Sequence, residues 1–269
     1  MSTTPKGIFA TGKRVLMLLL CPALVLFSAH PSYGHKPLVL FDQGHGQRFT
    51  VEGENPLGLS RLAAVLREEG AQVQAITGLI DGAALSGAKA LVVSGPFTPF
   101  EESEVEAIAG FVMRGGRVTI MLHIAPPVTS LLDGLGVTSS VGVINEVEQT
   151  IGNMSLNFNV VRLERHPLTS GLKSFAVYGG WAVQNMGRNA IVIARTGPGA
   201  WLDTNGNRTY DLGEPVESMG VVVAGRAGSG SFLVFGDDAV FQNKFLEGSN
   251  LVLGQNLADW LLREKVPPQ

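Results

Sequence analysis

Residues 89–122 read KALVVSGPFTPFEESEVEAIAGFVMRGGRVTIML. KALVV (89–93) and RVTIML (117–122) are short apolar runs without alternation, the pattern of strands covered on both faces, as in a parallel sheet. Between them residues 100–114 read as a helix, and Gly115-Gly116 separates it from the second strand. Upstream the same unit appears once more. PLVLF (37–41) is a strand that runs into the polar turn DQGHGQ. Residues 57–69 place Leu59, Leu62, Ala63 and Leu66 on one helical face, with Gly70 as the stop and a strand at 71–76. Downstream, 127–136 reads as a short helix and 140–163 and 173–184 as extended excursions. AIVIAR (190–195), MGVVVA (219–224) and SFLVFG (231–236) read as strands, and 250–263 as a closing helix. This rhythm predicts an α/β protein: a three-layer, doubly wound, mostly parallel sheet.

The N-terminus has the three parts of a secretion signal. Lys6, Lys13 and Arg14 make a basic start, Val15 to Phe27 is uncharged and apolar, and Ser32 and Gly34 form a small-residue exit before His35. The apolar run is shorter than the roughly 20 residues that span a bilayer, and Pro22 interrupts it. The expectation is a signal peptide at 1–34 cleaved after Gly34 and a single domain over 35–269, periplasmic or secreted. The alternative is an uncleaved inner-membrane anchor, with the membrane met only through that segment. The sole cysteine, Cys21, would leave with the signal, so cysteine catalysis is excluded from the mature chain. Loss of 1–34 removes three cations and no anion from a chain of net charge −3. No basic run remains, which excludes nucleic acid as a partner. Gly 34 and an aromatic share of 7% fit a turn-rich α/β protein better than a helical bundle.

One motif is sharp. Residues 203–214, DTNGNRTYDLGE, put oxygen donors in the register of a twelve-residue calcium loop: Asp203, Asn205, Asn207, Asp211 and Glu214, with Thr209 supplying a backbone carbonyl. A hard cation wants six to eight oxygens, which alternate residues of a tight loop supply. Arg208 stands where such loops carry glycine, so a structural calcium site here is expected to be weak, of the millimolar class. The flanks are strands, so the loop stands alone. A turn of Asn, Gly and Asp that binds nothing is the plain alternative.

In an open α/β sheet ligands sit beyond the carboxyl ends of the strands. The polar residues there are Asp42 and His45, Ser94, His123, and Asp237, Asp238 and Asn243. These are the candidate ligand-binding residues. Asp42, His45 and Ser94 also suggest a secreted hydrolase, but no G-x-S-x-G turn surrounds a serine and Pro96 removes a nearby amide. No catalytic residue is assigned. His166 reads as a structural histidine.

VLFDQGHGQRF (39–49), the helix ending EEGAQVQ, ALVVSGPFTPFEESEVEAIAGFVMRGGRV (90–118), HPLTSGL (166–172) and FGDDAVFQNKFLEGSNLVLGQNLADWLL (235–262) resemble a family. It is the domain of unknown function 4350, bacterial envelope proteins related to gliding-motility-type auxiliary proteins of ABC transporters. The resemblance implies a class I glutamine amidotransferase-like, flavodoxin-like fold. It carries no reaction over, because Ser94 stands nearest to where amidotransferases hold their cysteine. The function expected is a non-catalytic binding or assembly module of the envelope, with an envelope protein or a polar ligand as partner. A secreted hydrolase and a calcium-dependent carbohydrate-binding protein are the alternatives.

Overall fold

The computed structural model describes residue 1 and residues 35–263. The signal segment, Cys21 and the cleavage point lie outside the described residues. In chain order the first half contains β1 (Leu38–Asp42), α1 (Ser60–Glu68), β2 (Gln72–Ile76), β3 (Ala88–Ser94), α2 (Glu102–Met113), β4 (Arg117–Met121) and α3 (Thr129–Gly134). Then come β5 (Val137–Asn145), β6 (Thr150–Ile151), β7 (Met154–Val160), β8 (Arg162–Leu163), β9 (Phe175–Tyr178) and β10 (Trp181–Asn185). The chain ends with β11 (Ala190–Arg195), β12 (Trp201–Asp203), β13 (Gly220–Ala227), β14 (Gly230–Phe235) and α4 (Gly248–Leu262). No described helix is long and apolar enough to cross a membrane.

Helices α1 and α2 stop on the same device. Gly70 (φ 94) and Gly115 (φ 107) take the left-handed conformation. The next amide reaches back in each, Ala71 N–H to Leu66 at 2.9 Å and Gly116 N–H to Phe111 at 3.0 Å, closing the last turn. At its start α2 carries a capping box: Glu104 reaches back to the Glu101 amide at 3.0 Å while the Glu101 side chain accepts the Glu104 amide.

The large sheet has eight strands in the order β2-β1-β3-β4-β14-β13-β11-β8. Pairing is parallel from β2 through β14. From β14 to β8 it is antiparallel. Two three-stranded antiparallel sheets, β10-β5-β12 and β6-β7-β9, are added from the middle of the chain. Among the described residues strand outweighs helix, 33% to 22%. The expectation of a doubly wound, mostly parallel fold is therefore corrected to a strand-rich fold with a mixed main sheet. The reason lies in the connections. Only Gly228 and Ser229 separate β13 from β14, and parallel neighbours need a crossover of about a dozen residues or more. Gly228 (φ 57) makes the hairpin, so β13 must run antiparallel.

Both faces of the main sheet are buried. Leu62, Leu66, Leu253 and Leu257 of α1 and α4 pack on Val39, Phe41, Val92 and Phe235. Ile108 and Phe111 of α2 and Leu131 and Leu132 of α3 pack on Leu91, Val93, Val118 and Ile120 on the other side. Each fully buried side chain of this kind contributes roughly 1.5–3 kcal/mol. Two edges are left for function: the rim where the parallel strands end, and the opposite edge where they begin.

Candidate functional site

At the rim, Ser94, Met121 and Phe235 stand in register at the ends of β3, β4 and β14. The turn after β1 is wound around Asp42, which accepts the Gly44 amide at 3.0 Å and the Gln47 side chain at 2.5 Å. His45 Nδ1 meets both Asp42 oxygens at 2.9 and 3.0 Å, and Nε2 meets Glu104 Oε2 at 3.1 Å. Its ring is stacked on Phe100 at 3.9 Å. Burial pulls the His45 pKa down, but the two carboxylates outweigh it, and the imidazole sits above its ordinary value. Burial likewise pushes Glu104 up. The Ile80 and Glu101 amides and His45 outweigh that, so its carboxyl is held low. The result is a buried carboxylate–imidazolium–carboxylate clamp that ties the first turn to α2.

The clamp settles what His45 can do chemically. Both ring nitrogens are occupied, so neither can take a proton from Ser94. Ser94 Oγ is buried and has no hydrogen-bond partner. Asp42, His45 and Ser94 do not form a nucleophilic relay. Glu104 was not singled out in the sequence, although it shares the buried stripe of α2 with Ile108, Phe111 and Val112. A carboxylate in register with the apolar face of the helix is the signal that could have found it.

The second histidine is different. His123 Nδ1 meets Asp238 Oδ1 at 3.1 Å, and its side chain is 38% exposed. Phe49 and Phe97 frame the ring at 5.0 and 5.3 Å, Arg48 lies over Phe97 at 4.6 Å, and Trp181 Nε1 donates to the His123 carbonyl at 3.2 Å. The hydrogen bond to Asp238 raises the His123 pKa against its partial burial. Asp238 is buried and pushed up, with His123 offsetting part of the rise. Its Oδ2 lacks a partner and lies against Gly95, where φ is +55 and a side chain would meet that oxygen at 2.5 Å. Asp237 holds the Tyr178 and Ala239 amides at 2.7 and 2.9 Å, and burial and the Asp238 charge push it up to about 7.

The rim thus brings Asp42, His45, Ser94, His123, Asp237 and Asp238 to one edge, with His123 the accessible member. Asn243 belongs to the scaffold. Its Oδ1 accepts the Arg61 amide at 2.9 Å and its Nδ2 donates to the Gly53 and Asn55 carbonyls, both at 2.8 Å, tying the start of α1. Phe49, Phe97, Arg48 and Trp181 complete the rim and were not among the candidate residues read from the sequence.

The loop 203–214 closes β12 onto the Val216 bridge. Asp203 accepts the amides of Gly206 at 2.6 Å, Asn207 at 3.1 Å and Arg208 at 2.8 Å. Glu214 accepts the Thr204 amide at 2.8 Å and the Asp211 amide at 3.0 Å. Arg208 takes the left-handed conformation (φ 64) at the position where calcium loops use glycine. Asn205 and Asn207 turn their amide nitrogens onto Asp211 Oδ2 at 2.7 and 2.6 Å. The Thr209 amide donates to Asn207 Oδ1 at 2.8 Å.

A family model described as Domain of unknown function (DUF4350) matches residues 54–258. The chain belongs to that family. No curated protein matches this DUF4350 chain. Among solved structures, the mmIFT52 N-terminal domain is similar with a TM-score of 0.70 at 17% identity, over 86% of this chain and 100% of that one. A thua-like protein from Bacteroides uniformis ATCC 8492 is similar with a TM-score of 0.55 at 14% identity, over 89% and 96%. Another from Parabacteroides merdae ATCC 43184 reaches 0.50 at 13% identity, over 87% and 93%. At these identities the likeness is one of fold. It carries no chemistry to the DUF4350 rim.

Proposed function

We propose that this DUF4350 chain is an exported, non-catalytic binding or assembly module of the cell envelope, acting beside a transporter, and that the rim around His123 is its recognition surface. The observation that supports this reading is the contrast between the two histidines. His45 is locked between two carboxylates, while His123 is half-exposed, hydrogen-bonded to Asp238 and framed by two phenylalanines and Arg48. An oriented imidazole with a raised pKa, set among aromatic rings, suits a polar or acidic loop of an envelope partner. Placing a photo-crosslinking residue at Phe97 in the full-length exported protein tests it. A discrete adduct at position 97, and none from the exposed Met113, is expected. Equal labelling at both positions, or turnover of an ester, amide or glycoside that vanishes in Ser94→Ala, contradicts it.

The loop 203–214 enters the same proposal as a structural calcium loop. The support is Arg208 at φ 64 in the sixth position and Asp203 and Glu214 already closed around the backbone. Calcium would replace the Asn205 and Asn207 contacts to Asp211 with side-chain oxygens turned inward. Binding to the folded state alone stabilises by about 1.4 kcal/mol at ten times Kd. A chelator-stripped sample should therefore melt higher in millimolar calcium, Asp203→Ala should abolish the shift, and Arg208→Gly should enlarge it. An unchanged melting curve contradicts the site.

A further inference from the structure

A buried arginine stands at the edge where the parallel strands begin. Arg117 opens β4 and is only 3% exposed. Beside it in register stands Ser231 of β14, also buried. Arg117 Nη1 and Ser231 Oγ both lack a hydrogen-bond partner. Among the described residues no carboxylate forms an ion pair with Arg117. Its guanidinium lies instead over the ring of Trp260, 5.4 Å from the centroid.

A cavity of about 220 Å3 opens beside Ser231 and Trp260, lined also by His166, Arg188 and Arg226 and by no Asp or Glu. Arg117 neighbours Ser231 and Trp260 but does not itself line the cavity. His166 Nδ1 accepts the Leu168 amide at 3.1 Å, which leaves the ring proton on Nε2 as a donor. Burial and the neighbouring Arg263 push its pKa down to about 4, so it is neutral at pH 7. Burial and Arg263 also lower Arg117, to about 10, which still leaves it charged.

A buried guanidinium without a counter-charge is costly, because burial strips several kcal/mol of hydration from the ion and an aromatic face replaces only part of it. Arginine does not escape by losing its proton at neutral pH. A buried, unpaired arginine beside an unsatisfied hydroxyl and two further arginines is built to receive an acceptor with negative charge. We propose that this cavity binds an oxyanion group, a phosphate or a carboxylate, with Arg188 and Arg226 pairing its charge, the Ser231 hydroxyl and His166 Nε2–H donating to it, Trp260 forming the wall, and the buried charge of Arg117 beside Ser231 adding to the attraction. The planar guanidinium fork matches either group. A cavity of this size takes a small anion or the anionic end of a larger molecule. The site lies at the opposite edge of the sheet from the His123 rim and does not rest on the function proposed for it.

Titration of the full-length protein with sodium phosphate and, separately, with sodium succinate, at ionic strength matched with sodium chloride, tests the site through Trp fluorescence and Tm. At least one anion should give a saturable change that chloride does not, and which one does so assigns the group. Affinity should fall at least tenfold in the exposed Arg188→Ala and in the exposed Arg226→Ala, and should be retained in His123→Ala. No saturable response to either anion overturns the proposal. So does a response that survives both arginine variants, or one lost in His123→Ala, which would place binding at the rim.

Discussion

The two edges of the main sheet treat buried charge in opposite ways. At the rim, His45 is held by Asp42 and Glu104, and His123 by Asp238. At the other edge Arg117 is as deeply buried and meets no carboxylate among the described residues, only an aromatic face. The rim clamp is a finished piece of scaffold: its charges satisfy one another and fix the turn that carries Phe49. The Arg117 edge is unfinished without something from outside. Burial of a charge therefore does not mark function by itself, and the presence or absence of its counter-charge separates structure from site.

Breaking the clamp should give the largest effect. His45→Ala leaves Asp42 and Glu104 buried without their shared cation and should cost about 3–5 kcal/mol in equilibrium urea unfolding. The pH dependence sharpens this. His45 has a raised pKa, so its contribution is complete below about 6.5 and is lost as pH rises through the folded value. Glu104 has a lowered pKa, so its contribution is lost as pH falls through its folded value. The stability difference between wild type and His45→Ala should be widest between those two limits. A difference that stays flat from pH 4 to pH 9, on the order of the ordinary histidine and carboxylate range, would mean the clamp is not ionic.

Gly95→Ala should come next. Its φ of +55 strains any side chain, and the added carbon would meet Asp238 Oδ2 at 2.5 Å and His123 Cβ at 3.2 Å. A cost of about 1–3 kcal/mol is expected, with a displaced His123 signal in NMR spectra. A silent substitution would show that the rim is not packed around that dyad. Smaller still is Asp238→Asn, which removes the negative charge beside His123. The His123 titration followed by NMR should move to lower pH, with little change in stability because that imidazole is partly exposed. An unmoved titration would detach His123 from Asp238.

Local periodicity made much of the first half legible. Helix α1 shows its buried stripe in Leu62 and Leu66, and Gly70 and Gly115-Gly116 mark stops that the backbone uses in the left-handed form. The direction of β13 was not read, although the two-residue turn at Gly228-Ser229 decides it. Apolar runs report burial on both faces and say nothing of which way the chain travels. Asp42, His45 and the Asp237-Asp238 turn were legible because strand ends concentrate polar residues. Glu104 was not, since a glutamate in the first turn of a helix ordinarily faces water and favours the dipole there. Arg117 was missed for a related reason: an arginine that opens a strand looks like a solvated end until tertiary packing lays Trp260 over it.

Comparing wild type, Arg117→Met and His45→Ala by urea unfolding in a buffer containing only chloride tests the difference between the edges most directly. Methionine keeps the apolar bulk against Trp260 and removes an uncompensated charge, a change that is often neutral or stabilising. The expected result is Arg117→Met within about 1 kcal/mol of wild type or above it, beside a loss of about 3–5 kcal/mol for His45→Ala. A loss in Arg117→Met as large as that in His45→Ala would contradict it, because Arg117 would then be as fully satisfied within the fold as the rim clamp.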